Sequence, residues 1–208
     1  MDASGNIILR TAQTLQRFTG YYRPEDMDID PIAREQGVFR ACWANTGRMS
    51  HGGGSLLENS AVYSEVMCLT EESVATAPIP ATGTVPTVER FIAGDREANM
   101  YDNVAFQPIT GNLVVLEDGS TNVVTDVQPT TTKQRGNDMW ICLPDGEDKD
   151  TESDGCVRFA SLRDTSSEPT GFIFLGSGEE AFVSLQHRAT DERNNRGSLL
   201  KISGFKVN

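Results

Sequence analysis

The apolar residues of this chain come in short alternating runs, each cut off by Gly, Pro, Asn or Asp, and that pattern constrains the fold more than anything else. Alternation at period two marks a half-buried strand, and the punctuating residues supply the turns. Residues 38–43 (VFRACW), 61–69 (AVYSEVMCL), 112–118 (NLVVLED), 138–143 (DMWICL), 171–175 (GFIFL), 180–186 (EAFVSLQ) and 198–205 (SLLKISGF) all read as strands. Helical periodicity is scarce. Residues 7–18 (IILRTAQTLQRF) suit a short helix, but Ile7, Leu9 and Thr11 alternate equally well as a strand. The predicted class is all-β.

At 208 residues, a single domain over 1–208 is expected, with enough buried surface for a core of its own. The formal net charge of −12 argues against a nucleic-acid partner or an anionic membrane, both of which need a basic face. It suits cations held by clustered carboxylates. No apolar run approaches the ~18 residues of a membrane span. The first residues, MDASGNIILRTAQTLQ, lack a basic segment followed by an apolar one, so no signal peptide is read in this chain. Cys42, Cys68, Cys142 and Cys156 lie far apart with no CxxC pair. They are expected to be buried free thiols, which leaves the redox compartment open.

A weak repeat runs through the strand pattern. Residues 24–31 (PEDMDIDP) lead through a turn into 37–42 (GVFRAC), and residues 101–108 (YDNVAFQP) lead through Thr110-Gly111 into 112–117 (NLVVLE). Residues 168–174 (EPTGFIF) lead through Gly176-Ser177-Gly178 into 181–186 (AFVSLQ). Each copy is an acidic or amide residue, a short strand, a turn and a second strand. Hairpins repeated in this way suit the blades of a β-propeller, whose first strands line a channel, though a sandwich with chance similarity between hairpins gives the same pattern. The stretches 70–88, 128–137 and 144–155 read as polar surface loops.

The acids heading the repeats are the most informative residues. Glu25, Asp26, Asp102, Asn103, Glu117, Asp118, Glu168 and Gln186 are of the type that builds an oxygen cage for calcium. Singly, each also suits the capping of a turn. Asp150 to Gly155 imitates the start of an EF-hand loop, but the twelfth position falls on Ser161 instead of a bidentate Glu, so a solvated acidic loop is expected. Arg23 beside Glu25 serves equally well as a phosphate clamp or as an ion-pair partner of Glu25 or Asp26. The glycine-rich stretch 47–54 (GRMSHGGG) lacks the Lys of a P-loop and reads as a turn. His51 and His187 are the only histidines, with no HExxH or GxSxG around them.

Three stretches together resemble a known family. Residues 22–31 (YRPEDMDIDP), residues 101–119 (YDNVAFQPITGNLVVLEDG) and the span from 158 to 187, RFASLRDTSSEPTGFIF to FVSLQH, are similar in content and order to the PhoX-type alkaline phosphatases. The likeness covers most of 20–187 and matches the later part of the family domain. It implies a partial β-propeller of three to four blades, and hydrolysis of phosphate monoesters at a cluster of calcium and iron ions after export to the periplasm or the extracellular space. By that resemblance Arg23 contacts the substrate phosphate and Glu25 ligates a metal, while Asp102, Asn103, Glu117 and Glu168 sit in or near the same channel. His187 fits the pattern without an assigned role.

A partial propeller leaves edges open, and a homodimer or larger ring would restore closure. Two functional readings follow: a metal-assisted phosphomonoesterase, and a non-catalytic calcium-stabilised propeller module that binds or scaffolds. They differ in that only the first needs Arg23 to face a metal-filled pocket.

Overall fold

The structure is a computed structural model, described here for residues 21, 23–47, 64–71, 86–95, 97–118, 137–146, 148, 150–164, 167–186 and 197–207. Among these residues the chain forms three antiparallel sheets. The first holds β1 (Pro24–Ile29), β2 (Phe39–Asn45), β3 (Glu65–Glu71) and β4 (Thr87–Ala93). The second holds β5 (Tyr101–Phe106), β6 (Leu113–Glu117), β7 (Asp138–Cys142) and β8 (Cys156–Ser161). The third holds β9 (Glu168–Phe174), β10 (Glu180–Gln186) and β11 (Ser198–Ser203). Every strand pairs with its neighbour in the chain, so each sheet is a plain meander, and the class is all-β as the alternation predicts.

All seven expected strands are present. The two the sequence does not signal, β4 and β8, are edge strands whose apolar pattern is diluted by Glu89 and Arg90 and by Arg158. The expected loop 70–88 gives up Thr70 and Glu71 to β3 and Thr87 and Val88 to β4. One helical turn, α1 (Pro31–Glu35), also lies beyond the strand pattern. Asp30 caps it, its Oδ1 accepting from the N–H of Ile32 and Ala33, and Pro31 presets the first turn. Residues 7–18, His51, His187 and most of 47–54 and 128–137 lie outside the described residues. No helix among the described residues is long and apolar enough to cross a membrane.

The sheets stack in chain order, first strand beside first strand, in a propeller-like arrangement. Asp26 Oδ2 accepts from Val104 N–H at 3.3 Å and Asp28 Oδ2 from Phe106 N–H at 2.8 Å, joining β1 to β5. Asn103 Oδ1 accepts from Gly171 N–H at 2.8 Å and joins β5 to β9. The middle sheet is therefore covered on both sides, which explains why β6 is buried along its whole length. Leu113 and Val115 enter a core shared with the first sheet, while Val114 and Leu116 enter a core shared with the third.

The free-thiol expectation is overturned. Cys42 pairs with Cys68 and Cys142 with Cys156, and no cysteine is free. The reason is register. Cys42 lies opposite Cys68 across β2 and β3, and Cys142 opposite Cys156 across β7 and β8, with Cα separations of 4.1 and 4.0 Å. Partners 26 and 14 residues apart in sequence become neighbours only once the strands pair.

Candidate functional site

The site is built at the end of the sheets where β1, β5 and β9 begin. In the first two sheets the opening strand bulges at the same place. Glu25 and Asp26 face the single residue Ala44, between the pairs Pro24–Asn45 and Met27–Trp43. Asp102 and Asn103 share Leu116 in the same way, between Tyr101–Glu117 and Val104–Val115. A bulge re-aims a side chain that regular pleating would send elsewhere, and here it acts on Glu25 and Asp102 at equivalent positions. The third sheet bulges later, around Gly171 and Phe172, so Glu168 corresponds by register to Tyr101 and not to Asp102.

Arg23 is held ahead of β1 in a left-handed conformation (φ 51°), fixed by its C=O accepting from Thr46 N–H at 3.0 Å. Its Nε lies 3.5 Å from Glu25 Oε1 and its Nη2 3.5 Å from Asp118 Oδ2. Its third nitrogen, Nη1, is buried with no hydrogen-bond partner. Met100 stands at the equivalent place before β5, also left-handed, and its C=O accepts from Asp118 N–H.

This arginine belongs to a cluster of five mutually interacting carboxylates: Glu25, Asp26, Asp102, Asp118 and Glu168. Burial, then the charges of Asp118 and Glu25, push Asp102 up to about 6, with Arg23 pulling the other way. Burial, then Asp118, push Glu168 up to about 7, against a hydrogen bond donated by the Gln186 amide. Asp118 and Glu168 also share a carboxyl–carboxylate hydrogen bond. One guanidinium cannot neutralise five acids, so the cluster retains protons or attracts cations.

Not every expected ligand joins it. Glu117 is fully buried on the other side of β6, where its carboxylate accepts from Asn99 N–H (3.1 Å), Asp138 N–H (2.9 Å) and Trp140 Nε1 (3.1 Å). Its neighbour Asp118 takes the place among the acids. Asn103 lies beside the cluster, but its Oδ1 is engaged by Gly171.

The donor set fits a hard cation, since Glu25, Asp26, Asp102, Asp118 and Glu168 offer only oxygen. No three of these carboxylates bring one oxygen each within 4.8 Å of one another. Among the described residues the trio that does is Asp145, Asp148 and Asp154, on the acidic loop. That loop is folded by local turns, with Asp150 Oδ1 accepting from Glu152 N–H and Asp154 Oδ1 from Gly146 N–H. The EF-hand-like spacing therefore does not correspond to the trio, which uses Asp154 but neither Asp150 nor Glu152.

A family model described as alkaline phosphatase PhoX matches residues 3–189. The chain belongs to the PhoX family. A solved structure of Pseudomonas fluorescens PhoX, in complex with the transition-state analogue vanadate, superposes with a TM-score of 0.57 at 18% identity, over 98% of this chain. The match covers 39% of that protein, so the present chain spans about two-fifths of its length and shares its fold over that span. No curated protein matches the sequence. Membership in the PhoX family makes the chain phosphatase-related and ties it to a metal-dependent class.

Proposed function

We propose that the chain forms the phosphate-binding and cation-binding face of a PhoX-type phosphomonoesterase. The observation that carries this is Arg23: a guanidinium held in a strained backbone, with one buried N–H group unpartnered, paired with two members of a cluster of five acids. A buried unpaired donor is costly, and a phosphate oxygen is the partner its geometry suits. Glu25, Asp26, Asp102, Asp118 and Glu168 would hold the cations. The all-oxygen set favours calcium over iron, and all four cysteines are tied in disulfides, so none offers a thiolate.

Bound cations would supply charge neutralisation at the phosphate oxygens and Lewis acidity. The chain's own residues do the rest. Arg23 Nη1 donates to a phosphate oxygen and stabilises the charge that develops on it. Glu25 and Asp118 hold the guanidinium in place from either side. Glu168, pushed up to about 7 by burial and by the charge of Asp118, carries a proton in part at neutral pH.

The two disulfides support export to an oxidising compartment, periplasmic or extracellular. A second copy is proposed to close the open side. Val104 and Phe106 are 3% and 5% exposed against the first sheet, whereas Met27 and Ile29, at the same register in β1, are 60% and 41% exposed. A monodisperse monomer in solution scattering would count against that closure.

The spread of the five acids, no three of which bring one oxygen each within 4.8 Å of one another, favours one alternative, a calcium-stabilised module without turnover. Hydrolysis of an aryl phosphate, measured after stripping and restoring calcium and iron, separates the two. Cation-dependent turnover lost in Arg23→Ala and Glu25→Ala supports the enzyme. Calcium-dependent melting without turnover supports the module.

A further inference from the structure

The strand ends around Arg23 form a row that crosses the whole first sheet. Arg23 precedes β1, Thr46 follows β2, Ser64 precedes β3 and Gly94 follows β4. Backbone bonds tie the row in pairs, Thr46 N–H to Arg23 C=O and Gly94 N–H to Ser64 C=O, at 3.0 and 2.9 Å. The second sheet repeats the row with Met100, Asp118, Asn137 and Leu162, joined by the same two bonds.

The two rows differ in chemistry. In the second sheet Asp118 joins the acid cluster, and Asn137 donates from its amide to Ser167 C=O at the start of the third. In the first sheet the corresponding Thr46 and Ser64 are 0% exposed, and both hydroxyls lack any hydrogen-bond partner. Thr46 continues the β2 register of Cys42 and Ala44, which pack toward the second sheet, the direction in which Arg23 Nη2 reaches Asp118. Ser64 is also held at φ 118°, a conformation few non-glycine residues adopt. Only glycine fits beside it, because a Cβ at position 94 would lie 2.8 Å from Ser64 Oγ. A fold rarely leaves two buried hydroxyls and a guanidinium N–H unsatisfied on neighbouring strands, and strain of this kind collects where a ligand is received.

We propose that Thr46 and Ser64, with Arg23 Nη1, form a donor row that binds a phosphoryl oxygen of the substrate. This rests on the phosphatase reading above and extends it to two residues that neither the family resemblance nor the acid pattern marks. Adjacent strands stand about 5 Å apart, so Thr46 lies between Arg23 and Ser64 and the row presents donors from three neighbouring strands toward one anion. The acids beside Arg23 would hold the cations that make such an anion welcome.

The test sets folding against binding. Thr46→Val keeps the shape and removes the hydroxyl. Inorganic phosphate is titrated calorimetrically, at sub-millimolar concentration with calcium present, into the wild-type chain, Thr46→Val, Thr46→Ser and Ser64→Ala. Melting temperatures are taken without phosphate. Thr46→Val and Ser64→Ala are expected to weaken phosphate binding about tenfold each, with Thr46→Ser close to wild type. Their melting temperatures should hold or rise by a few degrees, because a buried unpaired hydroxyl is removed. Unchanged phosphate affinity in both variants, or a lowered melting temperature with unchanged affinity, overturns the donor row and leaves the phosphatase reading standing. If the wild-type chain binds no phosphate, both readings fall.

Discussion

Raising the pH should destabilise this chain in the absence of cations, and calcium should reverse the effect. Asp102 moves from 3.8 to about 6 on folding and Glu168 from 4.5 to about 7. A folded-state value above the unfolded one means that the folded chain holds protons the unfolded chain has released. Stability from these groups is therefore fully present below about pH 4 and is lost as pH rises through about 6 and then 7. Undiluted, each shift corresponds to roughly 3 kcal/mol. Asp102 is only half-buried and the two acids share Asp118 as a neighbour, so screening and coupling leave about 2 kcal/mol for the pair.

For a domain of this size that is a fall in Tm of about 4–8 °C between about pH 5 and pH 8. The assay is thermal unfolding followed by circular dichroism, in chelator, across that range. Glu89, raised by burial and by Asp145 against the pull of Arg40, acts in the same direction. The cluster is therefore read as the difference between wild type and Asp118→Asn, which removes the largest charge acting on both acids. Calcium competes with protons for these oxygens, so it should raise Tm more at pH 8 than at pH 5. A Tm that rises with pH in chelator, or a slope untouched by Asp118→Asn, would refute the reasoning.

Two further outcomes are expected. Gln107 is buried, with Nε2 donating to Gly178 C=O and Lys206 C=O and Oε1 accepting from Thr110 Oγ1 and Asn112 Nδ2, so it pins the second sheet to the third. Gln107→Leu should cost about 3 kcal/mol in urea unfolding, and a loss below about 1 kcal/mol would show that the network is not what joins them. The disulfides close spans of 26 and 14 residues, so reducing both should lower stability by about 3 kcal/mol each. Equal melting of the oxidised and reduced chains would contradict this.

What the sequence discloses and what it hides have physical causes. Strands such as β10, buried at every second residue, are legible because one face is apolar and the other is not. β6 is legible as a strand but not in its parity, since both faces are buried, and so the Glu117-Asp118 pair cannot be assigned. The residue the family pattern points to is consumed by three N–H donors, and the next one pairs with Arg23. The cysteine pairs depend on the register of strands separated by long connections, which no local signal specifies. Thr46 and Ser64 carry no local signal either, being short hydroxyl residues at strand ends. Only their burial and the absence of a partner set them apart.

The repeat explains how one backbone plan yields two unlike halves of a site. The first two sheets place a bulge, a left-handed residue before the opening strand and a row of strand ends at matching positions. Backbone geometry fixes where side chains arrive, and the choice of side chain then decides the charge. The second sheet puts Asp118 where the first puts Thr46, and Met100 where the first puts Arg23. Glu25, Asp26 and the donors of the first sheet thus meet Asp102 and Asp118 of the second across a single seam. Exchanging the chemistry at one of these positions should therefore disturb ligand binding far more than folding. The side-chain bonds of Asp28 and Gln107 that join the sheets show the opposite balance, because they satisfy the neighbouring sheet's backbone and stand clear of the acids.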